Sequence, residues 1–470
     1  MVFRSGRTAL LHIPCKVTEK TQYRVIGMLL KQCEHMSYFA NIFVCSCFFR
    51  IFALDMQYQI TAPPTIHADV ALPPSKSISN RALIISALAG GNVHPDHLSD
   101  CDDTKVMVQA LEECRTTVDV RGGGTSMRFL TAYFAATEGE HVLTGTDRMC
   151  HRPIGPLVDA LRYLGADITY LGEEGYPPLL IRGRRLSGGR LEIAGDVSSQ
   201  YISALLMIAP TLDGGLELRM TGELVSRPYI DLTLWVMREY GADVDWTDTD
   251  TITVAQKPYT PHPYAVESDW SAAAFWYEIL ALTDDMESSV TLRGLSDGSK
   301  QGDSVSRYLF SLLGVKTHFA ADGAVVLRKQ PCLLSRMEYD FVGAPDLAQP
   351  LAVTCALRGI PFRFTGLTSL HIKETDRMEA LRSELHKLGF VVQEDGDALV
   401  WNGSQCEPSS EAVIDTFDDH RMAMSFAPAA IMYPGLRISE PHVVSKSYPR
   451  YWEDLCKAGF HVNLPVPGKL

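Results

Sequence analysis

The chain has 470 residues, and its formal net charge of −13 at pH 7 argues against a nucleic-acid or anionic-membrane partner. Hydrophobic residues make up 46% of the chain and charged residues 21%, as in ordinary globular proteins. The 11 cysteines include no CxxC pair and no Cys/His cluster at metal spacing, so we expect reduced thiols in the cytoplasm. Any anion site must therefore be built from local cations against an acidic background.

The first 55 residues differ in composition from the rest of the chain. They hold seven Lys and Arg residues against three Asp and Glu residues, together with four of the cysteines. Residues 38–54 are apolar and aromatic, but Arg50 interrupts them and they are shorter than the roughly 20 residues that a membrane span needs. We interpret residues 1–55 as an extension outside the functional protein, with Met56 as the true start. A weak membrane anchor is the alternative.

The first predicted helix follows a pair of prolines and begins near Ser75 or Ser77. A hydroxyl at that position accepts hydrogen bonds from the free N–H groups of the first helical turn. Lys76 and Arg81 then lie near the helix N-terminus, where the backbone dipole disfavours cations. They become favourable if an anion is held there by N–H groups, hydroxyls and both side chains. The alternative is a capped helix with two solvated cations.

A helix that ends at a glycine turn and leads into a half-exposed strand recurs along the chain. The turn glycines follow one another at intervals of roughly 75 residues: Gly165, Gly241, Gly314, Gly389 and Gly459. A sixth, degenerate copy spans residues 106–120 and lacks the glycine, so the first unit is predicted to be short by about one hairpin. The regular spacing favours six α/β units, three in each of two domains. The alternative is that helix, glycine and strand simply alternate, as in any α/β protein.

Two further loop-to-helix junctions carry the same chemistry as the first helix. The glycines of residues 122–124 precede Thr125 and Ser126, and residues 198–200 supply two hydroxyls and an amide. Cations stand at similar element ends elsewhere, namely Arg148, Arg152, Lys373, Arg377, Arg421 and Lys446. This set suits small substrates that carry phosphates and carboxylates, because arginine offers a planar fork and lysine a point charge.

Together these motifs resemble those of the 5-enolpyruvylshikimate-3-phosphate synthase family. In chain order they are LPPSKSISNR from Leu72, GTSMR from Gly124, RPIG from Arg152, SSQ from Ser198, VSRPYID from Val225, KETDR from Lys373 and DHRMAM from Asp419. The resemblance extends from Met56 to the C-terminus. It implies an α/β, inverse α/β barrel-like fold of two domains with three repeated units each, in agreement with the repeats. We expect one domain of residues 75–267, inserted into another of residues 56–74 and 268–470.

The resemblance implies transfer of the enolpyruvyl group of phosphoenolpyruvate to the 5-hydroxyl of shikimate 3-phosphate, through a tetrahedral intermediate that eliminates phosphate. This reaction belongs to the shikimate pathway of aromatic amino acid biosynthesis. The resemblance also implies a cytoplasmic monomer that acts on small molecules without metal or organic cofactor, and without nucleic-acid or membrane partners. Its two domains would close around the substrates, and glyphosate would compete with phosphoenolpyruvate.

The same resemblance implies the site residues. Shikimate 3-phosphate would contact Lys76, Ser77, Arg81, Ser198, Ser199, Ser226, Asp346 and Lys373. Phosphoenolpyruvate would contact Lys76, Gly124, Arg148, Gln200, Arg377, Arg421 and Lys446. Asp346 resembles the base that accepts the hydroxyl proton, and Glu374 the acid that protonates the methylene carbon. Lys76 is expected to belong to the catalytic set as well.

Three departures from the family pattern bear on these expectations. The first unit is short between Glu113 and Val120, which affects its outer hairpin rather than the site. Ser369 stands where an asparagine often helps to bind substrate. Phe129 follows Arg128 where many members have proline.

Two alternatives come from other classes. The related UDP-N-acetylglucosamine enolpyruvyl transferases use a loop cysteine, and Cys150 lies in the right region. However, its spacing to Arg152 is wrong for that role, and Ser77 replaces the asparagine usual in that family. A non-catalytic anion-binding protein would keep the cations but would not need Asp346 and Glu374 together.

Overall fold

The computed structural model describes residues 56–91, 94–113, 115–196, 198–410 and 412–463. The interpretation of residues 1–55 as an extension or an anchor therefore lies outside the described residues. The helices are α1 (Lys76–Leu88), α2 (Asp102–Glu112), α3 (Gly124–Ala136), α4 (Asp147–Cys150), α5 (Gly155–Tyr163), α6 (Ser199–Ile208), α7 (Arg227–Glu239), α8 (Trp270–Leu282), α9 (Ser306–Leu312), α10 (Ala348–Leu357), α11 (Arg377–Lys387), α12 (His420–Phe426) and α13 (Tyr451–Lys457). None of these helices is long and apolar enough to cross a membrane.

The described strands are short, most of them three to five residues. They are β1 (Gln57–Thr61), β2 (His67–Ala71), β3 (Thr117–Asp119), β4 (Gly139–Thr144), β5 (Asp167–Tyr170), β6 (Leu179–Gly183), β7 (Ser187–Ala194), β8 (Asp213–Thr221), β9 (Val244–Trp246), β10 (Thr251–Val254), β11 (Ser289–Arg293), β12 (Val315–Phe319), β13 (Val325–Lys329), β14 (Met337–Asp340), β15 (Phe362–Thr365), β16 (Gln393–Asp395), β17 (Ala398–Trp401), β18 (Val413–Ile414), β19 (Leu436–Ser439) and β20 (His461–Asn463). Short 3₁₀ turns connect several elements, and those at Gly302–Val305, Phe341–Gly343, Pro345–Leu347 and Pro441–Lys446 lie near the site.

The described strands form five four-stranded sheets, which confirms the α/β class. Their orders are β3-β4-β6-β5, β7-β8-β10-β9, β12-β13-β11-β2, β14-β15-β17-β16 and β18-β19-β1-β20. Each sheet has one parallel pair and two antiparallel pairs, and none of the described sheets closes on itself. The last sheet joins distant parts of the chain, because β1 lies between β19 and β20. The count of six repeated units stays a prediction.

The turn glycines adopt the left-handed backbone that the repeat predicts. Their φ angles are 98° at Gly165, 81° at Gly241, 85° at Gly314, 98° at Gly389 and 93° at Gly459. At the first of them, the N–H of Gly165 donates to the carbonyl of Arg162 (2.9 Å) and that of Ala166 to the carbonyl of Leu161 (3.0 Å). This is a Schellman C-cap, in which a residue with a side chain would be strained. In the degenerate first copy, β3 pairs with β4 of the following unit.

Buried apolar side chains form two clusters. Cluster 1 takes residues from β1, β2 and the segment from Trp270 to Phe460, and cluster 2 takes residues between Ile78 and Val266. The chain crosses between them on two adjacent segments, where the N–H of Ser75 donates to the carbonyl of Glu267 (2.8 Å). The division into two domains stays a prediction, and these two clusters are the observation that favours it.

One carboxyl group is buried in cluster 1 far from any compensating charge. Glu278 of α8 is fully buried, and neither of its carboxyl oxygens has a hydrogen-bond partner among the described residues. Burial raises the pKa of Glu278 well above its ordinary value, because the apolar surroundings disfavour the charged form. The native protein therefore keeps this proton at pH values where the unfolded chain has released it.

This buried acid predicts a pH-dependent gain in stability for Glu278→Gln. The unfolded glutamate loses its proton above about pH 4.3, whereas the native one keeps it, so wild-type stability falls as the pH rises above that value. A glutamine cannot ionise, so the variant should raise the urea midpoint more at pH 8 than at pH 5. Glu287→Gln, at an exposed position, is the matched control and should show no such difference. Equal shifts at both pH values for Glu278→Gln would contradict the prediction.

Candidate functional site

A cavity of about 490 Å³ lies between the two clusters and receives side chains from both. It brings together most of the residues that the sequence predicts for the site: Lys76, Ser77, Arg81, Gly124, Ser198, Ser199, Gln200, Ser226, Asp346, Lys373, Glu374, Arg377 and Arg421. Ser369 also lines it. The cavity does not include Arg148 or Lys446.

Lys76 stands at the start of α1, where the hydroxyl of Ser75 caps the helix. Its ammonium Nζ lies 3.3 Å from the Oδ2 atom of Asp103. Burial by itself would lower the pKa of Lys76, but the nearby acidic groups, Asp103 first and then Cys101 and Glu374, together outweigh burial and hold it above its ordinary value. Lys76 is therefore a fixed positive charge at the cavity wall.

Arg81, one turn further along α1, is buried without a carboxylate contact. Its guanidinium donates to the hydroxyls of Thr233 (2.7 Å) and Ser203 (3.2 Å) and to the carbonyls of Ser77 (2.8 Å) and Tyr229 (3.1 Å). Burial lowers its pKa to about 10, which still leaves it charged at neutral pH. Neutral acceptors orient this cation but leave its charge uncompensated, so the position favours an incoming anion.

A second cationic position forms where α3 meets the loop after α4. The guanidinium of Arg152 packs against Gly124, so a Cβ atom added there would lie 2.7 Å from its Nη1 atom. The Nε atom of Arg152 is buried and has no partner among the described residues. Behind it, Arg128 donates to the carbonyls of Gly124 (3.1 Å) and Pro153 (2.8 Å), and burial together with the charge of Arg152 lowers its pKa to about 10.

Arg152 lines the cavity, whereas Arg148, which the sequence analysis expects at the phosphoenolpyruvate site, does not. Helix α4 is a single turn that buries Met149, and this orientation turns Arg148 outwards into solvent. The sequence signal for Arg152 was its position directly before Pro153 in the RPIG motif. Because that proline's carbonyl is held by Arg128, the preceding arginine is fixed towards the cavity.

Lys446 also lies outside the cavity lining, although it is close to it. Its Nζ atom would be 3.8 Å from a Cβ atom on Gly122, which places it beside the glycine loop. It donates to the carbonyl of Asp418 (2.7 Å) and pairs with that residue's carboxylate (3.2 Å). Phe417 and Asp418 both have positive φ angles, 53° and 56°. In this turn the carbonyl oxygen and one carboxylate oxygen of Asp418 both face the lysine.

The opposite wall of the cavity is a network of buried charges around Arg377. Its guanidinium contacts Asp346 (2.8 Å), Glu374 (3.0 Å) and Asp419 (2.7 Å). Asp419 caps α12 by accepting from the N–H of Arg421, so the network is tied to a helix start. No group of three or more side chains suited to a metal ion occurs in the described part of the chain.

The two carboxylates predicted as acid and base share these cations. Asp346 lies 3.0 Å from Arg421 and 3.8 Å from Lys373, in addition to Arg377. Burial would raise the pKa of Asp346, but the charges of these three cations outweigh it and keep the pKa far below its usual range. Burial would also raise the pKa of Glu374, but the charge of Arg377 and of other nearby cations outweighs burial. The pKa of Glu374 is therefore also well below its ordinary value. Both groups are ionised in the empty site.

The cavity contains further polar groups that the sequence analysis did not assign. They include Asp103, Thr125, Arg152, Tyr229 and His420. Both ring nitrogens of His420 lack a hydrogen-bond partner among the described residues, and burial holds its pKa well below its ordinary value, so the ring is neutral. Thr125 accepts from the amide of Gln200 (3.1 Å), which orients the amide at the glycine loop. His420, Thr125 and Tyr229 stand inside motifs that the sequence displays, whereas Asp103 gives no comparable signal.

Comparisons with known proteins agree with one another. The model of the family EPSP synthase (3-phosphoshikimate 1-carboxyvinyltransferase) matches residues 60–122 and 112–455. A 3-phosphoshikimate 1-carboxyvinyltransferase from Bacteroides fragilis (strain ATCC 25285) is 54% identical over 410 residues, which cover 87% of this chain and 99% of the relative. One from Photobacterium profundum is 36% identical over 421 residues, or 83% of this chain and 96% of the relative. A solved EPSP synthase from Acinetobacter baumannii has a TM-score of 0.69 at 22% identity, covering 87% of this chain and all of that one, and shows the same fold.

The placement of the two arginines predicts how the protein responds to a simple anion. Inorganic phosphate should raise the melting temperature of the wild type, because it binds only the folded site. Arg152→Ala should lose most of this rise, since it removes a half-buried cation of the cavity lining that forms no ion pair among the described residues. Arg148→Ala is the matched control and should keep the rise, because that side chain is exposed. A loss of the phosphate effect in Arg148→Ala, with retention in Arg152→Ala, would contradict the placement.

Proposed function

Because this chain belongs to the EPSP synthase family, and is therefore a 3-phosphoshikimate 1-carboxyvinyltransferase, we propose that Asp346, Glu374 and Lys76 carry out its chemistry. The reaction transfers the enolpyruvyl group of phosphoenolpyruvate to the 5-hydroxyl of shikimate 3-phosphate and releases phosphate. The observation that supports this assignment most directly is the position of Arg377, which joins Asp346 and Glu374 in one cavity. Reversible addition and elimination needs a proton acceptor for the hydroxyl and a proton donor for carbon, and Arg377 holds these two carboxyls side by side for those roles.

Shikimate 3-phosphate is proposed to lie on the side of the cavity formed by α1, α6 and α7. Arg81 and Ser77 offer a charge and a hydroxyl to its carboxylate, and the hydroxyls of residues 198–199 and Ser226 offer hydrogen bonds to its phosphate. The start of α6 adds the positive end of a helix dipole, which favours phosphate. Lys373 and Asp346 reach the same space from the opposite wall.

Phosphoenolpyruvate is proposed to lie between Gly124 and the network around Arg377. Arg152 takes the role that the sequence analysis assigned to Arg148, and Gln200, Arg377, Arg421 and Lys76 complete the set. Gly124 matters because the absence of a side chain lets the guanidinium of Arg152 lie directly against the backbone. Lys446 can join this set only if it leaves Asp418, so its role depends on a change of side-chain position.

The electrostatics of the empty site favour proton transfer only after the substrates have bound. Asp346 and Glu374 are strongly ionised because buried cations contact both of them directly. When the phosphate and carboxylate groups of the substrates take up Arg377, Arg421 and Lys373, the two carboxyls lose part of that stabilisation and their pKa values rise. Substrate binding thereby turns two weak bases into groups that can exchange protons, while the cations stabilise charge that develops in the dry cavity.

We further propose that the protein acts as a cytoplasmic monomer on these two small molecules, without nucleic-acid or membrane partners. Residues 75–267 would move as one domain against residues 56–74 and 268–470. Contacts that bridge the two clusters, such as Ser445 to Asp102 (2.6 Å) and Ser226 to Val342 (2.9 Å), would then form and break with closure of the cavity.

The acid and base roles predict large losses of turnover. Asp346→Asn and Glu374→Gln should each lower kcat by roughly 10²–10⁴, the usual effect of a positioned acid or base. The measurement is phosphate release from phosphoenolpyruvate in the presence of shikimate 3-phosphate, with UDP-N-acetylglucosamine as the alternative acceptor. Cys150→Ser is the control and should keep most activity, because Cys150 lies outside the cavity lining and its thiol contacts the carbonyl of Gly145.

Two outcomes would contradict these roles. Near-normal kcat in either carboxyl variant would remove that residue from the chemistry. A loss of several orders of magnitude in Cys150→Ser, together with turnover of the UDP-sugar, would favour the rival transferase.

The close packing of Arg152 on Gly124 predicts an effect on inhibition by glyphosate. In Gly124→Ala the new methyl group would lie within 2.9 Å of the guanidinium carbon and both terminal nitrogens, so Arg152 must shift. Glyphosate is longer than phosphoenolpyruvate and should lose more from the narrowed space, so its inhibition constant should rise more than the KM for phosphoenolpyruvate. Gly172→Ala, whose Cβ would meet only Pro178 at 3.7 Å, is the control. An unchanged inhibition constant in Gly124→Ala would disprove the argument.

A further inference from the structure

A second buried aspartate stands behind the proposed base, separated from it by one hydroxyl group. The Oη atom of Tyr229 lies 3.4 Å from the Oδ2 atom of Asp346 and 3.5 Å from the Oδ1 atom of Asp303. The other oxygen of Asp303 accepts a hydrogen bond from the hydroxyl of Ser271. Asp303 is only 3% exposed and does not line the cavity, so it can act on the substrates only through a neighbour that does, and of Ser271 and Tyr229 it is Tyr229 that also contacts Asp346.

The fold brings these groups together by packing two turns against the start of α7. A Cβ atom on Gly302 would lie 2.8 Å from the ring of Pro228, so this turn approaches α7 as closely as a glycine allows. The N–H of Ser226 donates to the carbonyl of Val342 (2.9 Å), which fixes the turn that leads to Asp346. Tyr229 therefore has one carboxylate on either side of its hydroxyl.

The two carboxylates differ in their surroundings. Asp346 contacts three cations, whereas Asp303 accepts hydrogen bonds from the hydroxyls of Ser271 and Tyr229. Burial and the nearby charge of Asp346 raise the pKa of Asp303 to about 6. The strongly paired Asp346 is a weak proton acceptor in the empty site, and Asp303 is the stronger one.

We propose that Asp303 is the final acceptor of the hydroxyl proton, which reaches it from Asp346 through the hydroxyl of Tyr229. This inference rests on the proposed role of Asp346 as the base. As the bond forms between the substrate oxygen and C2 of phosphoenolpyruvate, Asp346 takes the hydroxyl proton. Asp346 then donates that proton to the Oη atom of Tyr229, while Tyr229 gives its own proton to Asp303.

After these transfers Asp346 is again a carboxylate, Tyr229 is unchanged and Asp303 is neutral. The reverse sequence returns the proton. A tyrosine hydroxyl has a single proton and can serve only one carboxylate at a time, which is the property that a relay needs. Both contacts are longer than a usual O–H···O bond, so binding of the substrates must shorten them.

Several other groups face Asp303 and affect its titration. Asp269 caps α8 on the same side as Ser271, and Arg421 of α12 lies beyond Asp346. Asp269 raises the pKa of Asp303, whereas Arg421 and the hydrogen bond from Ser271 lower it. The phosphate groups of the free substrates also titrate near pH 6, so the quantity to follow is kcat, which reports the bound complex, and not kcat/KM. A wild-type pH profile by itself therefore does not identify the group, and variants are needed.

The test is the dependence of kcat on pH, between 5 and 9, in the wild type, Asp303→Asn and Tyr229→Phe. The wild type should lose activity below an apparent pKa of about 6, because a protonated Asp303 cannot accept a further proton. This loss of activity at low pH is the acidic limb of the profile, and both variants should lack it. Their kcat at pH 8 should be about 10-fold to 10²-fold lower than that of the wild type. A purely structural role for Asp303 would change KM or stability but leave the limb in place.

Persistence of the acidic limb in Asp303→Asn, or full kcat in that variant, would overturn the relay. If Asp303→Asn fails to fold, Ser271→Ala replaces it. Loss of that hydrogen bond should move the limb to higher pH, and an unmoved limb would overturn the relay.

Asp346→Asn separates the relay proposal from the proposal that Asp346 is the base. Normal kcat in Asp346→Asn would refute the proposed base, whereas its inactivity with an unaltered limb in Asp303→Asn would refute the relay alone.

Discussion

The site depends on one buried guanidinium, that of Arg377, whose side chain is only 2% exposed. It holds Asp346, Glu374 and Asp419, which come from three other positions in the chain. A charge removed from water needs partners with good geometry, and removal of one partner leaves another charge buried and uncompensated. The positions of Asp346, Glu374 and Asp419 therefore follow from the need to satisfy this arginine.

The wall formed by α1 and α3 follows a different rule, because its buried arginines are not paired with carboxylates. Arg81 is held by hydroxyls and carbonyls, and Arg128 by carbonyls and the face of Tyr201. Neutral acceptors fix the direction of a guanidinium without cancelling its charge. An acidic protein can thus present a strongly cationic surface in one place. On this wall it is the anionic groups of the substrates that neutralise the arginines.

The parts of this structure that the sequence predicted are those set by local chemistry. The left-handed turn at Gly165 and the capped start of α1 depend on neighbours within a few residues, and both are visible in the printed sequence. Arg148 illustrates the opposite case, since the burial of Met149 in a single helical turn decides which way the arginine faces. Asp303 and Tyr229 meet only because two separate turns pack on α7, and such a contact has no signature in either segment.

The arrangement of β1 between β19 and β20 affects how the protein can be made. Gln57 pairs with Ser439 and Thr61 with His461, so the first described strand needs partners from the end of the chain. At ordinary rates of synthesis, roughly 20–80 s pass between the emergence of β1 and that of its partners. Throughout this time β1 has free N–H and C=O groups on both edges, which can pair with other strands. The sheet that contains β1 can form only after translation has reached its last strand, so the nascent chain has to be protected from wrong pairing until then.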